Sequence, residues 1–201
     1  SGRSSSGWLS RLKRYAWLLN SVSRRRVASA SGRYRLRAAI CWQSCLGFQT
    51  IEMALHEAAH LVSALACGGY VLRAEVRETH GRVLVAGLQG TPGQAVFALA
   101  GAAAVDADET GWCARDHVPA GLVSGPDEKE LEQGLACWPS LQEAWDATRR
   151  VVRDNWRAII FFAQVLLKRP VLTCFDLEVI LDDHGVRDWI VPAELLRSHV
   201  A

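Results

Sequence analysis

The sequence predicts a mainly helical α+β domain with a small β-hairpin, and three patterns carry that reading. Ile51, Met53, Ala54, Leu55, Ala58, Leu61, Val62, Leu65 and Ala66 recur as on a buried helix that stops at Gly68-Gly69. Two runs with β-branched residues, Tyr70 to Val76 and Arg82 to Leu88, alternate as strands do, and Thr79-His80-Gly81 between them suits a turn. Finally, Trp145, Thr148, Val152, Trp156, Ile159, Ile160 and Ala163 fall three and four apart, which predicts one long amphipathic helix from about Ser140 to Lys168.

The remaining elements follow from local punctuation. Gly90-Thr91-Pro92-Gly93 breaks the chain after the hairpin, and a small-residue helix is expected from about Gln94 to Thr110. A loop with Pro119, Gly121 and Gly125 leads to Pro126, which suits a first helical position. Asp127, Glu128 and Glu130 then occupy the first turn, where negative charge complements the helix dipole. This helix is expected to end near Trp138-Pro139, and Arg169-Pro170 to close the long one. Two short helices, Thr173 to Asp182 and Pro192 to Ser198, complete the reading.

Charge divides the chain of 201 residues into two parts. The net charge is only +2, yet no acidic residue occurs before Glu52, while arginines run from Arg3 through Arg24-Arg25-Arg26 to Arg37. Residues 1–49 therefore read as a basic, Ser/Arg-rich extension and residues 50–201 as the folded domain. An Arg-rich, Ser-rich, acid-poor head has the composition of an organellar transit segment, chloroplast rather than mitochondrion, or else of a basic arm on a cytoplasmic protein. No nucleic-acid reading motif accompanies it. Six scattered cysteines without a CxxC pair read as small apolar residues of a reducing compartment, and no apolar run is long enough to span a bilayer. The expectation is a soluble protein for which self-association stays open.

The chemistry concentrates in His56-Glu57-Ala58-Ala59-His60. Residues four apart on a helix share a face, so both imidazoles can reach one ion while Glu57 lies beside it. Two histidines and one further His, Asp or Glu make the three-ligand zinc set that leaves a position open for water. A carboxylate next to that water can act as general base, so Zn2+ is the expected cofactor and Glu57 the expected catalytic residue. His80, His117 and His184 lie in turns and loops and read as polar surface residues.

Around that motif the chain resembles the peptidase domain of the FtsH-type, AAA-associated zinc metalloproteases and their small stand-alone relatives. The resemblance runs through Ala54-Leu55-His56-Glu57-Ala58-Ala59-His60, Gly81-Arg82-Val83, Leu99-Ala100-Gly101-Ala102-Ala103-Ala104 and Ser124-Gly125-Pro126-Asp127. It implies a zincin-like helical metallopeptidase domain with a small hairpin or sheet beside the HExxH helix. It also implies His56 and His60 as zinc ligands, Glu57 as base, and Asp127 at a helix start as third ligand. Glu128, Glu130, Asp106, Asp108 and Glu109 are the other carboxylates available for that place.

The sequence contains no GxxxxGK[ST] phosphate loop, so no ATP binding is expected in this chain. The function expected is that of a zinc metalloendopeptidase acting on unfolded or flexible polypeptide, which the hairpin edge can receive as an added strand. The alternative from another class is a non-catalytic scaffold or partner-binding subunit that keeps the fold.

Overall fold

A computed structural model describes residues 48–77, 80–110 and 126–193. The proposed extension, apart from its last two residues, and the loop with Pro119, Gly121 and Gly125 lie outside the described residues. The elements are α1 (Phe48–Ala66), β1 (Tyr70–Val76), β2 (Gly81–Ala86), α2 (Pro92–Thr110), α3 (Pro126–Leu135), α4 (Leu141–Asp154), α5 (Trp156–Lys168), β3 (Val171–Thr173) and α6 (Cys174–Asp183). A 3-10 turn at Val186–Trp189 follows. The mainly helical α+β class is as expected, but the sheet has three antiparallel strands in the order β2-β1-β3, one more than the hairpin.

Helices α1 and α2 form the centre. Their apolar side chains from Ala54 onward are mostly buried, including Ala58, Leu61 and Val62 on α1 and Val96, Leu99 and Ala100 on α2. A helix apolar on every side has to be enclosed by others. Trp145 and Val152 of α4, Phe162, Ile159 and Leu166 of α5, and Leu172 of β3 are fully buried as well. No helix among the described residues is long and apolar enough to cross a membrane.

α1 ends as its two glycines predict. Gly68 adopts φ +80°, where a Cβ would be strained, and the Gly68 and Gly69 amides donate to the carbonyls of Leu65 and Ala64 at 3.1 and 2.9 Å. β1 contains a bulge at Leu72, so that Val71, Ala74 and Val76 all face inward despite their odd spacing. β2 stops at Ala86 rather than Leu88, because Gly87 turns the chain at φ +84° and Leu88 drops into the core.

The single helix expected from Ser140 to Lys168 is two helices meeting at Asn155. Asn155 is 1% exposed, and its amide is fully committed. Nδ2 donates to the carbonyls of Val151 (2.9 Å) and Val191 (3.1 Å), and Oδ1 accepts from the Val191 amide at 2.7 Å. A side chain that bonds its own preceding turn competes with the helix ladder and allows the break. Pro192 and Ala193 are not helical; the Val191 amide donates to Asn155 Oδ1 and the Ala193 amide to the Ala66 carbonyl at 2.9 Å. The rest of the expected terminal helix lies outside the described residues. Asn155→Ala is expected to destabilise the fold by about 1–3 kcal/mol through loss of its three hydrogen bonds, to the Val151 and Val191 carbonyls and from the Val191 amide, as urea unfolding would measure.

β3 was not legible as a strand because it is only three residues long, pairing with Glu75, Ala74 and Arg73 of β1. It runs directly into α6, where Thr173 and Asp176 form a capping box. α3 ends at Leu135, earlier than expected, and hydrogen-bonded turns from Gly134 to Trp138 carry the chain to α4.

Candidate metal centre

α1 contains no Gly or Pro, so its geometry holds His56 and His60 one turn apart on one face. Their Nε2 atoms lie 2.9 Å apart with the rings nearly edge to face. Asp127, the second residue of α3, brings Oδ2 to 3.5 Å from His56 Nε2 and 3.4 Å from His60 Nε2. Among the described residues, these three form the group of His, Cys, Asp or Glu able to share a metal ion.

The donor set can be tested against an ion. Zinc bonds nitrogen and carboxylate oxygen at about 2.0–2.2 Å, which places tetrahedral ligand atoms roughly 3.2–3.6 Å from one another. Two of the three separations match and the third, 2.9 Å, is slightly short. Two imidazoles and a carboxylate also suit zinc chemically. The side chains of His56 and Asp127 are 30% and 27% exposed while that of His60 is 3% exposed, so the group is reached from the His56 and Asp127 side.

α2 supports the group from below. His60 Nδ1 donates to the Phe97 carbonyl at 2.7 Å, and its ring lies against the Phe97 ring. A carbonyl can only accept, so the proton is on Nδ1 and the lone pair on Nε2 faces His56 and Asp127. Burial opposes ionisation of Asp127, but His56 and His60, when protonated on Nε2, outweigh it through hydrogen bonds and charge and hold the carboxyl well below the usual range.

Glu57 lies on the neighbouring stripe of α1 and is 6% exposed. Burial pushes its carboxyl up to about 7, with a smaller downward pull from His56 and a further upward push from Asp127. Gly81, the first residue of β2, makes the space: a Cβ there would overlap the Glu57 carboxylate. Gly101 does the same on α2, where a Cβ would overlap the His56 ring.

The other carboxylates go elsewhere. Glu130 accepts from Gln94 Nε2 at 2.7 Å, Glu128 is exposed, Asp106 is buried on α2, and Asp108 is half-buried. None of these joins the His56, His60 and Asp127 group. The Glu109 side chain lies outside the described residues, as does His117. His80 and His184 are exposed, the latter beside Phe161.

Sequence reading missed the parts that hold the site together. Gln94 is 2% exposed, accepts from the Gly90 amide and donates to Glu130 and Gln133, which ties α3 to α2. Gly134 lets α3 approach the α2 backbone at Ala95, where a Cβ would collide. A buried glutamine heading an apolar helix, and single glycines inside helices, were the available signals. No family model matches the chain, and no curated protein matches it, so the geometry of His56, Glu57, His60 and Asp127 is what a functional reading has to stand on.

Proposed function

We propose that this chain is a zincin-like, zinc-dependent endopeptidase related to the stand-alone FtsH-type peptidase domains. The observation that carries the reading is a buried carboxylate, Glu57, close enough to interact electrostatically with His56 and Asp127, beside a triangle of two imidazole nitrogens and one carboxylate oxygen. His56, His60 and Asp127 would hold the ion. When bound, zinc in such a set acidifies a water molecule and polarises a carbonyl. Glu57 supplies the base: its buried carboxylate, raised to about 7 in the metal-free protein, can accept a proton and return it to a leaving amine. His60 stays in one tautomer through the Phe97 carbonyl, and Asp127 brings the negative charge that favours a cation.

The substrates are flexible or unfolded polypeptide segments. β2 is an edge strand of the sheet and begins at Gly81, against Glu57, so an extended backbone added along it passes the site. Residues 1–49 are read as an address to an organelle, the chloroplast first.

Metal analysis beside a casein digestion assay tests this reading. Purified chain is expected to carry about one zinc per protein, to lose hydrolysis on chelation and to regain it with zinc. Hydrolysis indifferent to the chelator, or a chain that never takes up zinc, would sink it. Bound zinc without turnover of unfolded substrates would point instead to a partner-binding role.

A further inference from the structure

We propose that Gly101 is the positioning residue of the metal centre, setting the His56 imidazole in its ligating orientation by having no side chain. The inference rests on reading His56 as a metal ligand.

α2 is rich in alanine around this point, with Ala98, Ala100, Ala102, Ala103 and Ala104 all in the helix. Alanine is the best helix former and glycine among the worst, so on local grounds position 101 should be alanine too. Position 101 is instead where the His56 ring meets α2. A Cβ built there would fall on Cε1, Nε2 and Cδ2 of that ring, the edge that faces His60 and Asp127. One turn earlier on the same face of α2, the Phe97 carbonyl accepts from His60 Nδ1. The two imidazoles are therefore fixed by one surface in two ways, His60 by a hydrogen bond and His56 by an absent side chain. A methyl group at position 101 can be accommodated only if the His56 ring swings off α2, which removes its Nε2 from the triangle. The orientation of His56 is thus set by packing before an ion arrives, which lowers the ordering penalty of binding.

The test is a double-mutant cycle between Gly101→Ala and His56→Ala, with zinc affinity read by competition with a chromogenic chelator. Gly101→Ala in the parent is expected to weaken zinc binding by at least about 100-fold, comparable to loss of a ligand. In the His56→Ala background it should weaken binding no further. Thermal unfolding of the metal-free proteins provides a second cycle that needs no zinc. With His56 removed, Gly101→Ala should raise the melting temperature by roughly 2–4 °C, as replacing a helical glycine does, and with His56 present it should raise it less or lower it. Should the single variant fail to fold, recovery of folding in the double variant is the same result in stronger form.

Equal losses of zinc affinity in both backgrounds, or equal thermal shifts in both, would overturn the proposal, as would a double variant that stays unfolded. A parent protein that binds no zinc would instead overturn the metallopeptidase reading, and the thermal cycle would still report whether Gly101 and His56 meet.

Discussion

Glu57→Gln is expected to bind zinc like the parent and to hydrolyse unfolded casein about 10²–10⁴-fold more slowly, the range contributed by a positioned general base. Glutamine has nearly the shape of glutamate, so it fits the buried space that Gly81 leaves open and preserves the packing of α1 on β2. What it loses is the ability to take up a proton near neutral pH. Glu57 is not among the three grouped donors, so metal content should stay constant while turnover falls. Single-turnover cleavage by the variant at the parental rate would remove Glu57 from the chemistry.

Asp127→Asn is the second large effect, expected to raise the zinc dissociation constant by more than about 100-fold, beyond the loss that follows from disturbing a residue merely supporting a ligand. The carboxylate is held ionised by His56 and His60, and its Oδ2 stands 3.4 and 3.5 Å from their nitrogens. An amide at that point is neutral and a poorer donor. The substitution also removes a first-turn negative charge from α3, but that loss is only about 0.3–1 kcal/mol and can be read separately in the metal-free protein. Glu128→Gln should leave zinc affinity unchanged, because Glu128 is exposed and outside the group. Zinc retained by Asp127→Asn after chelator competition would show that another group completes the site.

The sequence by itself determined the local units. A run without Gly or Pro from Phe48 to Ala66 makes one helix, and residues four apart on it must share a face, so the pairing of His56 with His60 and the adjacency of Glu57 follow from spacing alone. Pro126 with acidic residues behind it marked the start of α3 by the same kind of short-range rule. The hairpin was legible from alternation, its Leu72 bulge and early stop at Ala86 were not.

Tertiary structure decided which carboxylate joins the two histidines. Asp127 and Glu128 are both first-turn acids and Glu130 follows in the next turn, later than its expected place, and the docking of α3 on α2 through Gln94 and Gly134 decides which of them reaches the histidines. It turns Glu130 to Gln94, leaves Glu128 in solvent and brings Asp127 to the imidazoles. It also broke the long helix at Asn155, since periodicity records which residues face a core but not that a buried amide will bind Val191 from far along the chain. The burial that raises Glu57 and the glycines that admit its side chain and His56 are of the same kind. They arise where separate elements meet, and no local pattern encodes a distance between two elements.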